Sequence, residues 1–284
     1  MPFAPASTGL YISELINGAL RFPLFPQGGD FRQPELFVSA FVSFLERVFL
    51  FIPWPVWVLL AAFAGWALFR KWYVPLLFSL SMLVVIYCGM WPISMLTLAI
   101  VAGALLISML LGGLCGLMMS ASARLRSVID PALDNLGAVP PILYLALSAL
   151  LFGPGSVTAL CATTLCTVPT FARSVSAAIR STSDELRDAG RAMGASKWQS
   201  LFLIEIPQAL PTLVRCVRSA VIMAVSMVTI CSVLGGPGLG SALLTALMDS
   251  NPGTAIEAGF AIGCMAVILE RICFALGQRV SRRA

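Results

Sequence analysis

The sequence predicts an all-α polytopic membrane protein with about seven transmembrane helices, and its composition and the length of its apolar stretches both predict that class. Apolar residues form 59% of the 284 residues and charged residues only 11%, whereas soluble domains average about 45–50% and about 25%. A chain of this length cannot hide so much apolar surface within a soluble globule, but lipid can solvate it. We therefore read the net charge of +5 as a sign of membrane topology rather than of nucleic-acid binding.

The apolar stretches approach the roughly 20 residues that a helix needs to cross a bilayer. Several end at helix-breaking clusters, such as Gly153-Pro154-Gly155 and Gly235-Gly236-Pro237-Gly238. We place the predicted spans at residues 48–69, 74–91, 94–118, 134–152, 156–178, 209–234 and 255–276.

The segment before the first span is predicted to lie outside the cytoplasm. Residues 1–46 form this N-terminal segment, and residues 47–284 form one transmembrane domain. The stretch from Leu36 to Phe51 predicts a helix at the outer interface, and Pro53 turns it into the first span. The N-terminus has no smooth apolar core, so we expect no cleaved signal peptide.

Charge placement sets the predicted orientation. Connections near residues 92–93, 153–155 and 235–254 contain no Lys or Arg. The positive-inside rule assigns the connections that do contain them to the cytoplasm. This places the N-terminus outside and the C-terminus in the cytoplasm. The basic residues on the cytoplasmic side are Arg70, Lys71, Arg124, Arg126, Arg180, Arg187, Arg191, Lys197, Arg279, Arg282 and Arg283.

The longest cytoplasmic connection, residues 180–208, predicts two short helices separated by a glycine turn. Thr182 and Glu185 have the spacing of a capping box. Gly194 is expected to end the first helix, over 184–193, because glycine adopts positive φ readily. Ser196 is expected to cap a second helix that runs toward Pro207.

The first of these helices has two different faces. Leu186, Ala189 and Met193 recur on one small apolar face. The charged residues Glu185, Arg187, Asp188 and Arg191 fall mainly on the other face. A narrow apolar face at the cytoplasmic surface suits insertion into a groove on a partner. An ordinary interfacial helix that packs on lipid has the same spacing and is the alternative.

This loop resembles the cytoplasmic "EAA" signature of permeases of ABC importers. Asp188-Ala189-Gly190, Gly194, Ile204 and Ile206-Pro207 stand at the spacing of that signature. Asp, Gly and Ile replace the usual Glu, Ala and Leu at three of its positions. The resemblance implies docking onto an ATPase subunit, through Glu185, Asp188, Ala189, Gly190, Met193, Gly194, Ile204 and Pro207.

The resemblance extends to permeases of glycine betaine/proline (quaternary-amine, osmoprotectant) importers, with a departure in NLGAVPPI at 135–142. It implies a type I ABC importer permease fold, a permease homodimer in the bacterial inner membrane, two ATPase subunits that bind ATP and magnesium, and a periplasmic or lipid-anchored binding protein. No cofactor is expected in this chain. The stretches that carry it are 129–145, 167–182, 194–213 and 226–240.

Polar, methionine and proline residues within the spans are candidates for the pore. Proline frees backbone carbonyls that need another partner within a membrane, and a polar face with methionines suits the passage of a small zwitterion. Plain helix packing explains the same residues. Gly112 and Gly116 form a GxxxG pattern, typical of helix packing, with a dimer or gate contact as the alternative. The pore candidates are Pro140, Pro141, Tyr144, Met223, Ser226, Met227 and Thr229.

The sequence therefore predicts a permease subunit rather than an enzyme. It contains no GxxxxGK[ST] motif for ATP, no histidine, and eight cysteines without a CxxC spacing. The predicted function is import of a solute such as glycine betaine, proline or choline by alternating access. The alternative solutes are methionine, phosphonate or another amino-acid derivative. A secondary transporter would show internal repeats and ionisable residues within the spans, and it would leave the loop at 180–208 unexplained. A membrane enzyme would need a His/Asp/Glu or Cys/His constellation near one face.

Overall fold

The computed structural model describes residues 32–69 and 73–281, and in these ranges it contains helices and no strand. The predicted N-terminal segment is therefore described only from residue 32. Arg70, Lys71, Arg282 and Arg283, which contribute to the predicted orientation, lie outside the described residues.

The described chain is a succession of α-helices joined by short turns. A π-helical turn at Leu201–Glu205 and a 3-10 turn at Ser232–Leu234 lie between or after these helices. The helices are α1 Arg32–Phe51, α2 Trp54–Phe69, α3 Tyr73–Tyr87, α4 Trp91–Ala121, α5 Ala123–Ala138, α6 Pro141–Phe152, α7 Ser156–Arg180, α8 Asp184–Ala192, α9 Lys197–Ser200, α10 Ile206–Cys231, α11 Leu239–Met248 and α12 Pro252–Ser281.

Helix α1 confirms the helix predicted over Leu36–Phe51. The chain bends by 85° between α1 and α2, close to Pro53, so residues 48–51 of the first predicted span belong to α1 and the rest of that span begins a new helix at Trp54. The Trp57 indole stabilises this bend, because its Nε1 donates a hydrogen bond to the Phe49 carbonyl at 3.0 Å. On α1, Val42 is 1% exposed and packs into the main core.

Three helices in the described ranges are each long and apolar enough to cross a membrane: Trp91–Ala121, Lys197–Leu234 and Pro252–Ala275. Two bent helix pairs would raise that number to five, so seven crossings stay a prediction.

The predicted span at 156–178 does form a helix, α7, but its Ser and Thr residues lower its hydropathy. Most of α7 is buried against other helices, which removes the need for an apolar surface.

The predicted span at 134–152 is not one straight helix. Helix α5 ends at Ala138, α6 begins at Pro141, and the two are bent by 91°. Val139 is extended, with φ −70° and ψ 128°, because the residue before a proline avoids the α region. Helix α6 has 12 residues, which span about 18 Å at 1.5 Å per residue. That length is short of the roughly 30 Å hydrocarbon core.

The core forms where α7 packs between α4 and α10, with the side chain of Leu145 from α6 beside them. Gly112 and Gly116 of α4 lie against the backbone of α7, where a Cβ on Gly116 would stand 2.7 Å from the Ala172 carbonyl oxygen. This contact confirms the helix-packing interpretation of the GxxxG pattern. All eight cysteines are free thiols, as expected of small apolar side chains.

Candidate docking surface around helix α8

Helix α8 begins one residue later than the capping box predicts, so that prediction is wrong. Ser183 is the N-cap residue, and its side chain makes no capping hydrogen bond. The Thr182 hydroxyl donates instead to the main-chain carbonyl of Glu205 at 3.5 Å. Asp184 and Glu185 occupy the first turn, where their negative charges are favourable at the positive end of the helix.

The C-terminal end of α8 confirms the predicted glycine turn. Gly194 has φ +82°, a conformation that costs a residue with a Cβ roughly 1–2 kcal/mol. The Gly194 N–H donates to the Arg191 carbonyl at 2.9 Å, and the Ala195 N–H donates to the Gly190 carbonyl at 3.0 Å. These two bonds form a Schellman motif, so the chain leaves α8 in a fixed direction.

The second helix of the loop also begins where the sequence predicts. The Ser196 hydroxyl accepts from the Gln199 N–H, and the Gln199 side chain accepts from the Ser196 N–H, which completes a capping box. The π-helical turn then carries the chain into α10, with the Ile206 N–H bonded to the Leu201 carbonyl. This wide turn ends just before Pro207, which has no N–H to donate to the Leu203 carbonyl.

The inner face of α8 is held against the rest of the loop by the charged side chain of Arg187 and by the small residue Gly190. The Arg187 guanidinium donates to the Glu205 carboxylate at 3.3 Å, to the Ile179 carbonyl at 3.3 Å and to Asp184 at 3.1 Å. Gly190 is buried and faces Ile204 so closely that a Cβ would overlap its side chain. Arg187 therefore lies on the face of α8 opposite the apolar residues, as the helical spacing predicts, and the structure shows that this face points inward.

The outer face of α8 carries the apolar side chains that the helical spacing groups together. Leu186 is 41% exposed and Met193 is 81% exposed, and Ala189 between them is also exposed. Asp188 and Arg191 form an ion pair at 3.1 Å beside these residues, with both side chains about 70% exposed. We call Leu186, Ala189 and Met193 the α8 face. A helix that exposes an apolar strip, and whose opposite face is held against the protein, is suited to insert into a groove on a partner.

A basic cleft of about 470 Å³ separates the α8 region from the end of α4. Arg180 and Lys197 lie in its wall, together with Ser120. Trp198 also lines the cleft and stacks on Phe202 with ring centroids 6.1 Å apart. Both aromatic rings are more than half exposed, so the loop presents a second apolar element next to the α8 face.

The structure brings the EAA-type residues together in and around α8. The pore candidates, in contrast, are spread between the buried core and the exposed surface. Ser226 is exposed on α10, Met223 and Thr229 are half-buried, and Met227 is 1% exposed within the core. Tyr144 is buried, and its hydroxyl donates to the Leu136 carbonyl. Pro140 and Pro141 stand at the bend between α5 and α6.

Helix α10 has one exposed stripe that mixes polar and apolar residues at helical spacing. We call Arg215, Ser219, Ile222, Ser226 and Ile230 the α10 stripe; all are exposed. On α12, by contrast, the large exposed apolar side chains are Ile256, Phe260 and Val267, and the exposed Arg271 lies closer to its C-terminal end. Exposed serines suit a polar path or a second protein surface better than lipid tails. The α10 stripe is therefore the candidate for the side of the helix that faces away from lipid.

Sequence reasoning missed an ion pair between Arg218 on α10 and Glu270 on α12. From the sequence, both residues are expected to snorkel toward the cytoplasmic face. In the structure the Arg218 guanidinium bonds the Glu270 carboxylate and lies 4.8 Å from the centroid of the Phe274 ring. Opposite charges in two neighbouring predicted spans are the signal that could have revealed the pair.

The part of the loop that follows Ser196 is joined to the α10 stripe by one continuous helix. Lys197–Leu234 is unbroken through the π-helical turn. Pro207 and Ser226 are separated by about 28 Å along it, at 1.5 Å per residue. A displacement at the start of this helix can therefore reach the stripe along one helix, which contains Pro211 between these two residues.

Comparison with known proteins identifies a family for this arrangement. Residues 104–284 match the family described as "Binding-protein-dependent transport system inner membrane component". The glycine betaine transport system permease protein of Bacillus subtilis is 30% identical over 262 residues, which cover 92% of each chain. The glycine betaine/carnitine transport permease protein of Listeria monocytogenes is 27% identical over 272 residues, which cover 95% of each chain.

Solved structures show the same fold. The MetNI methionine ABC transporter, in an inward-facing conformation, matches with a TM-score of 0.61 and 21% sequence identity. The match covers 65% of this chain and 92% of the matched chain. At that identity the likeness concerns the fold alone, and it confirms the type I ABC importer permease fold that the sequence predicts.

Proposed function

We infer the function of this chain from its family, because it belongs to the binding-protein-dependent transport system inner membrane components. It is a multi-pass inner membrane protein and a permease subunit rather than an enzyme. It carries small quaternary-amine solutes, such as glycine betaine and proline betaine, across the membrane in an ATP-driven importer.

The α8 face is the observation that carries this proposal. An exposed apolar strip, fixed from behind by Arg187 and Gly190, is the form expected of a helix that docks into a groove on another protein. The partner is an ATPase subunit that binds ATP and magnesium, with one such subunit for each of two permease copies. The EAA-type residues Asp188, Gly190 and Gly194 support the same partner, since they lie in or directly beside this helix.

The solute class follows from the relatives and agrees with the chemistry of α10. The matched relatives are named for glycine betaine, carnitine and proline betaine. A zwitterion carries no net charge, so its path needs hydroxyl groups rather than a fixed countercharge. Ser219 and Ser226 of the α10 stripe supply such groups. We place the path along this stripe, between two copies of the chain.

The orientation follows from the position of the α8 face. An ATPase subunit draws its ATP from the cytoplasm, so α8 and the basic cleft beside it face the cytoplasm. This agrees with the positive-inside rule, because Arg180, Arg187, Arg191 and Lys197 lie on that side. The N-terminus is then outside, where a periplasmic or lipid-anchored binding protein delivers the solute.

Transport proceeds by alternating access. ATP binding closes the two ATPase subunits, their movement displaces α8, and α10 carries that displacement toward the α10 stripe. ATP can shift the permease only by interacting differently with its inward-facing and outward-facing states. Docking at α8 supplies that difference.

Uptake of labelled glycine betaine tests the proposed solute. The permease is expressed with its native ATPase and binding protein in cells that lack other betaine transport. We expect saturable, ATP-dependent uptake that unlabelled choline, carnitine or proline reduces more strongly than methionine does. Uptake of methionine instead of betaine by an assembled complex would contradict the quaternary-amine assignment.

A further inference from the structure

Glu205 is a meeting point of four segments of the chain. One carboxylate oxygen accepts from the Arg187 guanidinium and the other accepts from the Ser200 hydroxyl, each at 3.3 Å. The Glu205 main-chain carbonyl accepts from Thr182, which follows α7, at 3.5 Å. Glu205 itself ends the π-helical turn that runs directly into α10. The end of α7, helix α8 and helix α9 are thus all bonded to the start of α10.

The Arg187–Glu205 pair is shielded from water, unlike the other acidic contact of the same arginine. The side chain of Arg187 is 19% exposed and that of Glu205 is 13% exposed, whereas Asp184 is 91% exposed. Shielded charge-assisted hydrogen bonds are much stronger than exposed ion pairs, which contribute little. The position of Arg187 therefore depends on Glu205 more than on Asp184.

Among the described residues, the Arg187–Glu205 ion pair connects α8 to the part of the loop that leads into α10. The other ion pairs of α8 stay within the helix, between Arg187 and Asp184 and between Arg191 and Asp188. A close contact of Gly190 with Ile204 lies beside the pair. Force applied to α8 has to reach α10 through this contact and this pair, or through the longer backbone route around Gly194.

We propose that Arg187 and Glu205 are positioning residues that transmit the displacement of α8 to α10. This inference rests on the proposed function, because it assumes that an ATPase subunit displaces α8. The α8 face decides whether the partner binds, and the pair decides whether its movement reaches the spans. Loss of the pair therefore separates ATP hydrolysis from import without removing the docking surface.

The test compares Glu205→Gln with Asp184→Asn in the complete importer, reconstituted in vesicles with its ATPase and binding protein. Both variants remove one carboxylate charge that faces Arg187. The quantities measured are the ATPase retained by the permease, the rate of ATP hydrolysis, and the betaine imported per ATP hydrolysed. Glu205→Gln keeps an oxygen for Ser200 but loses the charge-assisted bond to Arg187.

We expect Glu205→Gln to retain the ATPase and to hydrolyse ATP while the betaine imported per ATP falls about tenfold. Such a change corresponds to the loss of one charge-assisted hydrogen bond. Asp184→Asn keeps the wild-type ratio. An unchanged ratio in Glu205→Gln, or an equal fall in both variants, would overturn the proposal. A loss of the retained ATPase together with import and hydrolysis is the mark of lost assembly, and the second variant then decides.

A second variant covers the case in which Glu205→Gln does not assemble. Arg187→Lys keeps the positive charge but cannot reach Glu205, Asp184 and the Ile179 carbonyl together, so the ratio should fall in this variant too. A wild-type ratio in Arg187→Lys would overturn the positioning role. A wild-type complex that hydrolyses ATP but imports no betaine would refute the proposed function itself, and that result is distinct from either variant's effect.

Discussion

Gly190 occupies the closest approach between α8 and the turn that leads into α10. A Cβ at this position would overlap the Cδ1 atom of Ile204. The EAA-type signature therefore has a local physical reason here, which is that a small residue lets α8 lie against the start of α10. Gly194 has a different reason, because its φ of +82° ends the helix.

Replacement of Gly190 by alanine should be tolerated, because the close atom is the Cδ1 end of the flexible Ile204 side chain. Rotation of that side chain makes room for a Cβ, and alanine inside a helix gains roughly 0.5–1 kcal/mol over glycine. We expect Gly190→Ala to import labelled betaine at close to the wild-type initial rate. Gly190→Leu adds more atoms than that rotation can accommodate, so overpacking should slow import several-fold. Equal initial rates for the two variants would contradict this account.

At the level of single residues, the sequence predicted those positions that depend on local backbone chemistry. The glycine turn at Gly194 and the cap at Ser196 follow from rules that act over a few residues. The inward turn of Arg187 did not follow, because its partner Glu205 is 18 residues away. Thr182 was misassigned for the same reason, since its hydroxyl bonds a distant carbonyl rather than the α8 N-terminus.

Among the described residues, helices α4 and α7 share the most extensive helix–helix contact, and glycines allow their close approach. A Cβ on Gly116 would lie 2.7 Å from the Ala172 carbonyl oxygen and 2.7 Å from the Val175 Cβ. Neither atom can move without a shift of α7. Gly113, on the same helix, would place a Cβ at an ordinary 3.8 Å from Phe171.

The two glycines therefore form a matched pair for testing this contact. We expect Gly116→Ala to destabilise the protein by about 1–3 kcal/mol through overpacking. Gly113→Ala should leave stability unchanged or slightly raised, because alanine favours the helix. The measurement is the melting temperature of the purified protein in detergent. Equal melting temperatures for the two variants would show that α4 and α7 are not held at this distance by Gly116.

At the level of elements, long apolar stretches predicted helices reliably, and breaks within them were less predictable. Pro140 and Pro141 indicate the break between α5 and α6. Hydropathy alone predicts one span across that break. Helix α11 at Leu239–Met248 was missed, because flanking glycines and a length of 10 residues resemble a loop. The Leu239 N–H donates to the Thr97 hydroxyl at 2.8 Å, a tertiary contact that no local pattern reveals.

Across the whole molecule, the sequence predicted the class, the fold and the family more firmly than the course of the chain through a membrane. Composition and the loop at 180–208 were sufficient for the class and the family. The number of crossings depends on bends of 85° and 91°, which composition does not encode. The pore candidates divide between core and surface because a helix buried on several sides carries polar residues on more than one face.

The central claim is that the α8 face holds the ATPase, and Leu186→Asp tests it most directly. Leu186 is 41% exposed, and Leu125 on α5 is 40% exposed, so Leu125→Asp is a control with the same substitution and exposure. The measurement is the amount of ATPase that copurifies with each permease variant. We expect Leu186→Asp to lose most of the ATPase, because a buried unpaired charge disfavours docking, and Leu125→Asp to retain the wild-type amount. Full retention by Leu186→Asp would contradict the account.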